Sequence, residues 1–204
     1  MKFCTLITTR SKSCSVKTLH TILRMNIRCI QYSHQNEILY VNDDPFEKVD
    51  MIMQCLKKCD RLLFIDFGVN VDDGSIKQIF EPLENTSVLV FPGVTEGIDW
   101  KLFRKKIEEG STEPVSQMGL HFDTELAQKA QTDIYKVKKT NAKAWVMITK
   151  NMSKKTKKIY AANMFDKLLE EGNKIYAFTA SKLTMTYSHE CISNILGAAG
   201  VKTN

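Results

Sequence analysis

The chain opens with an uncharged, β-rich run, Phe3-Cys-Thr-Leu-Ile-Thr-Thr9, and the period then changes. Over 13–25, Val16, Leu19, Ile22 and Leu23 recur at helical spacing, with serines placed to cap the start. The same alternation returns. A strand over 37–41 ends in Asn42-Asp43-Asp44-Pro45, and a helix over 45–59 follows, with Phe46, Val49, Ile52, Met53 and Leu56 turned inward. Residues 62–65 form a strand without polar alternation, as expected where both faces of a parallel sheet are covered. A short helix over 73–80 and a strand over 87–91 complete the first half.

The second half is more mixed. It predicts a helix over 100–109, a loop over 110–120, a strand over 144–149, a helix over 159–171 stopped by Gly172, a strand over 174–178 and a last helix over 188–196. Strands alternating with helices imply an α/β fold, with a mostly parallel central sheet and helices on both faces. With 204 residues, 43% of them hydrophobic, and no low-complexity tract, the expectation is a single domain over 1–204.

Composition narrows the function only slightly. A net charge of +6 favours anionic partners, but 29 basic against 23 acidic residues is a mild excess. Part of it sits in the lysine run over 150–158, which reads as a solvated loop. No interleaving of basic and aromatic residues argues for nucleic acid. The six cysteines show neither Cys-x-x-Cys nor zinc-finger spacing, so reduced thiols are expected. No signal peptide is recognisable, and no segment reaches the roughly 18 apolar residues of a membrane span. These features predict a cytoplasmic protein.

In open α/β sheets, ligands sit beyond the carboxyl ends of the strands. The residues there are Thr8, Thr9 and Arg10 after the first strand, Asp43 and Asp44 after the second, Asp66 after the third and 92–96 after the fourth. Glycine-rich phosphate loops are absent, which points away from P-loop and dinucleotide enzymes.

This order of pieces resembles the GT-A fold of nucleotide-diphospho-sugar glycosyltransferases, family-two members especially. Leu6-Ile-Thr-Thr-Arg10, with the helix containing Lys17-Thr-Leu-His-Thr-Ile-Leu23, is similar to that family's first strand and helix. Glu37-Ile-Leu-Tyr-Val-Asn-Asp-Asp44 resembles its second strand, and Leu63-Phe-Ile-Asp-Phe-Gly-Val-Asn-Val-Asp-Asp-Gly-Ser-Ile76 matches its metal-binding segment without a gap. Gly119-Leu-His-Phe-Asp-Thr-Glu125 looks like the acceptor-side segment, and His189 sits where many members place a metal-ligating histidine. The likeness covers about residues 1–125. The overall texture also looks like that of proteins of large DNA viruses, which would place the chain within a virus particle.

The resemblance implies a nucleotide-diphospho-sugar as ligand, held by Thr8, Thr9, Arg10, Asp43 and Asp44, with Mn²⁺ or Mg²⁺ bridging the two phosphates. Asp123 or Glu125 would be the base that deprotonates the acceptor. Asp66 supplies the first carboxylate of an Asp-x-Asp pair, but Gly68 stands where the second belongs. Three readings stay open. Asp72 or Asp73 with His189 completes a rearranged metal site; lysines or Arg10 neutralise the diphosphate instead; or the fold persists as an inactive structural or interaction protein, with partners in an assembly such as a virion. Simpler roles compete at each position: Asp43 and Asp44 as turn and cap residues, Asp123 and Glu125 in a helix's first turn, Ser188 as a cap before His189, and Trp100 and Trp145 as packing rather than sugar platforms.

Overall fold

The computed structural model describes residues 1–94, 98–112, 115, 118–180 and 184–185. It begins with three strand–helix steps: β1 (Lys2–Thr9), α1 (Val16–Gln31), β2 (Gln35–Asn42), α2 (Pro45–Leu56), β3 (Arg61–Ile65), a short β4 (Val69–Asn70) and α3 (Asp73–Phe80). It continues with β5 (Val88–Phe91), α4 (Trp100–Glu108), β6 (Thr124–Gln131), β7 (Ile134–Thr140), β8 (Ala144–Ile148), α5 (Met164–Glu170), β9 (Ile175–Phe178) and β10 (Thr184–Met185). Helix starts are chemically marked. Ser15 accepts from the Lys17 amide, Asp44 from those of Phe46 and Glu47 ahead of Pro45, and Asp72 from those of Gly74 and Ser75.

Eight strands form one sheet in the order β2-β1-β3-β8-β5-β9-β7-β6, and β10 pairs with β4 apart from it. The sheet is mixed, which corrects the expectation of a mostly parallel one. β1 runs parallel to β2 and β3, and β5 parallel to β9, but β8 lies between β3 and β5 antiparallel to both. An apolar strand buried on both faces looks the same in sequence whichever way it runs. The hairpin of β6 and β7 was also not expected. β6 is exposed along nearly its whole length, so it carries no apolar alternation, and its turn uses Asp133 at a positive φ of 58° instead of a glycine. Helix α1 runs on to Gln31 because Cys29 continues the buried stripe of Ile22 and Met25. Helix α5 starts only at Met164, after Asn163 in the left-handed region. The helix expected over 188–196 lies outside the described residues.

Alternation along the strands builds one core on each face of the sheet, with helices on both as expected. Cys4, Leu6, Leu62, Phe64, Val88 and Val90 meet Ile52 and Cys55 of α2 and Phe165 and Leu168 of α5 on one side. Phe3, Leu63, Ile65, Leu89 and Phe91 meet Met25 and Cys29 of α1 and Ile76 and Ile79 of α3 on the other. Trp145 belongs to the first core, stacked on Phe64 with ring centres 4.8 Å apart and edge-on to Phe165. Cys4, Cys29, Cys55 and Cys59 are buried free thiols. Burial pushes the Cys29 thiol up to about 11, and burial together with neighbouring Cys4 pushes Cys55 and Cys59 up to about 12. No described helix is long and apolar enough to cross a membrane.

Candidate functional site

Parallel register brings three strand ends side by side. Thr9 pairs with Asn42 and Ile7 with Ile65, so Arg10, Asp43 and Asp66 leave β1, β2 and β3 at the same end of the sheet. Arg10 and Ser13 exchange backbone hydrogen bonds across a tight turn, and the Asp43 amide donates to the Thr9 carbonyl at 3.0 Å. Both loops are thereby kept short and close to the sheet.

Their side chains join through cations. Arg10 Nε donates to Asp43 at 2.7 Å, with its guanidinium 4.9 Å from the centre of the Phe67 ring. Lys48, in the first turn of α2, reaches back to donate to Asp43 at 2.5 Å and to Asp66 Oδ1 at 3.3 Å. Lys143, just ahead of β8, lies 3.2 Å from Asp66 Oδ2, and its carbonyl accepts from the Asp66 amide at 2.8 Å. Burial alone would raise the Asp43 carboxyl, but the hydrogen bonds from Lys48 and Arg10 outweigh it and hold its pKa below the ordinary value. A cleft of about 670 Å³ opens here, its lining including Arg10, Lys48, Asp66 and Lys143 together with Trp145 and Tyr160.

The remaining expected residues fall elsewhere. Asp44 caps α2. Thr8 is fully buried and its hydroxyl has no hydrogen-bond partner among the described residues, while the Thr9 hydroxyl donates to the Val41 carbonyl at 3.2 Å. Thr9 lines a different cleft of about 690 Å³, with Tyr40 and Met51 between β2 and α2.

The metal candidates take separate partners on either side of the turn after β3. Gly68 adopts a φ of +75°, and the Val69 amide donates to the Asp66 carbonyl, so the chain reverses and β4 docks on α1 through the Thr18 and Thr21 hydroxyls. Asp72 is bound to the amides of Gly74 and Ser75 and to the Ser75 hydroxyl, and Asp73 lies 3.1 Å from Arg24. Among the described residues no three His, Cys, Asp or Glu side chains gather in a way that would hold a metal ion, and His189 lies outside them. Asp66, Asp72 and Asp73 thus each have partners of their own within the chain.

Asp123 and Glu125 differ sharply in setting, and neither opens a helix. Asp123 is buried ahead of β6, its carboxylate accepting from the Gly93 amide at 3.1 Å and the Thr124 hydroxyl at 2.8 Å, while its Oδ2 has no partner among the described residues. Burial raises its pKa; those two hydrogen bonds and the nearby Lys143 charge offset only part of that rise. Glu125 lies on the exposed hairpin, 2.5 Å from Lys138. His121 is 3.1 Å from Asp99, the cap of α4. Trp145 is a core residue and Trp100 is exposed at the start of α4.

Lys48 and Lys143 were missed in the sequence. A lysine one turn into a helix behind Asp43 and Asp44 was a faint signal for the first; nothing local marks the second, because its partner lies 77 positions earlier. No protein-family model matches the chain, and no curated protein matches it.

Proposed function

We propose that the chain is a nucleotide-diphospho-sugar-binding domain of GT-A type, a glycosyltransferase-like protein. The observation that carries this reading is the meeting of Arg10, Asp43 and Asp66 at three adjacent parallel strand ends, beside a cleft lined by Arg10, Lys48, Asp66 and Lys143, with Lys48 and Lys143 between and beside the carboxylates. A cationic cleft at that end of an α/β sheet suits a diphosphate. Of the two base candidates, Asp123 fits better, because burial raises its proton affinity towards the range a base needs and Glu125 is held in an exposed ion pair. In transfer, the acceptor oxygen would bond to the sugar's anomeric carbon as the bond to the diphosphate breaks. The acceptor proton would pass to Asp123, and the electron pair would leave with the nucleoside diphosphate.

Calorimetric titration with uridine and guanosine diphospho-sugars, in buffer containing Mn²⁺, is expected to give saturable binding of at least one of them. No heat with any member of the panel would reject the reading.

The lysine engagement of Asp66 also favours a second reading, that the cleft binds without turnover and the chain serves as a structural or interaction protein, for example in a virus particle. Binding with no release of nucleoside diphosphate in the presence of any tested acceptor would be its expected signature.

A further inference from the structure

We infer that this cleft binds the diphosphate of its ligand without a divalent cation, the ammonium groups of Lys48 and Lys143 standing where an ion would bridge. The inference rests on the reading of the cleft as a nucleoside diphosphate site. An Asp-x-Asp pair works by offering two carboxylates to an ion that then faces the phosphates. Here the position between two carboxylates is already filled: Lys48 Nζ is 2.5 Å from Asp43 and 3.3 Å from Asp66 Oδ1. Lys143 takes the other Asp66 oxygen at 3.2 Å, so both oxygens face cations of the protein itself. Glycine at position 68 is consistent with this, because the turn it makes sends the chain away to β4 on α1 and it brings no second carboxylate of its own.

Charge decides the sign. Arg10, Lys48 and Lys143 against Asp43 and Asp66 leave one net positive charge, whereas two carboxylates with a divalent ion leave none. The protein cluster therefore keeps a positive charge to offer a diphosphate without an added ion. Within the cluster the Lys48–Asp66 pair is sheltered, the side chains being 19% and 16% exposed, so salt screens this pair less than it would a surface pair, whereas Arg10 and Lys143 lie more open. Entering phosphate oxygens would accept charge-assisted hydrogen bonds from the lysine ammoniums instead of coordinating an ion.

The test is titration of the 204-residue chain with UDP and GDP in EDTA and again in Mn²⁺, for wild type, Lys48→Met, Lys143→Met and Lys48→Arg. Expected is binding in EDTA that Mn²⁺ changes by less than about twofold. Each methionine variant should weaken it by about 10- to 100-fold, the size of a lost hydrogen bond to a charged group, with partial recovery in Lys48→Arg. Melting curves identify any variant that has merely unfolded. Binding that requires Mn²⁺, or binding in EDTA indifferent to both methionine variants, overturns the inference while leaving the nucleotide reading intact. Absence of binding in both buffers overturns the nucleotide reading and this inference with it.

Discussion

Gly68 is where the residue scale decides most. Its φ of +75° is a conformation that costs other residues about 1–2 kcal/mol, with aspartate near the low end, so putting the second carboxylate back is not a simple repair. Gly68→Asp is expected to lose about 1 kcal/mol, which for a chain of this size lowers the melting temperature by about 2–4 °C. It should not create Mn²⁺-dependent nucleotide binding, since Asp66 stays engaged by Lys48 and Lys143. A melt and a titration on the one variant check both parts. Asp123 makes a pH-dependent case. Its folded pKa lies above the ordinary 3.8, so over that interval the folded state binds more protons than the unfolded one, and stability falls as pH climbs through it. Asp123→Asn removes this slope. Melts across the acid range should show the variant gaining on wild type as pH rises from about 4 and then running parallel. Sugar transfer, if present, should be lost. In sequence, capping and binding compete equally at Asp43 and Asp44; in the fold Asp44 caps α2, and Asp43 pairs with Arg10 and Lys48.

At the scale of elements, legibility followed burial. β1, β3 and β5, buried along nearly all of their length, stood out as apolar runs, but the inward faces of the helices were misplaced: Val16, Leu19 and Leu23 of α1 and Phe46 of α2 are exposed, while Thr18, Thr21, Met25 and Cys29 join Ile22 on the buried face of α1. The hairpin of β6 and β7 buries little and so left no such record. Direction was equally invisible. Nothing in Ala144-Trp-Val-Met-Ile148 says that β8 runs against its two neighbours, yet that reversal is what delivers Lys143 to Asp66, because an antiparallel strand begins where parallel ones end. The same limit explains why the site was only half foreseen. Residues closing parallel strands are predictable from the fold class, while those opening an antiparallel strand become predictable only once the pairing is known.

Across the whole molecule, each of the two cores holds buried thiols that report when it opens. Cys4, Cys55 and Cys59 belong to the core under α2, Cys29 to the core under α1, and Cys14 is partly open to solvent. A thiol raised from 9.0 to about 12 holds about a thousandfold less thiolate at mild pH, on top of its steric protection. Disulfide-exchange labelling followed by peptide mass analysis should therefore modify Cys14 before Cys4, Cys29, Cys55 and Cys59, which react only as fast as their surroundings open. Equal rates at Cys14 and Cys55 would contradict the packing described. The chain thus carries its own set of stopwatches, one beneath each layer of helices. Comparing the Cys29 clock with those of Cys4, Cys55 and Cys59 tells whether the two halves of this sandwich come apart together or in turn, with no label added to the sequence.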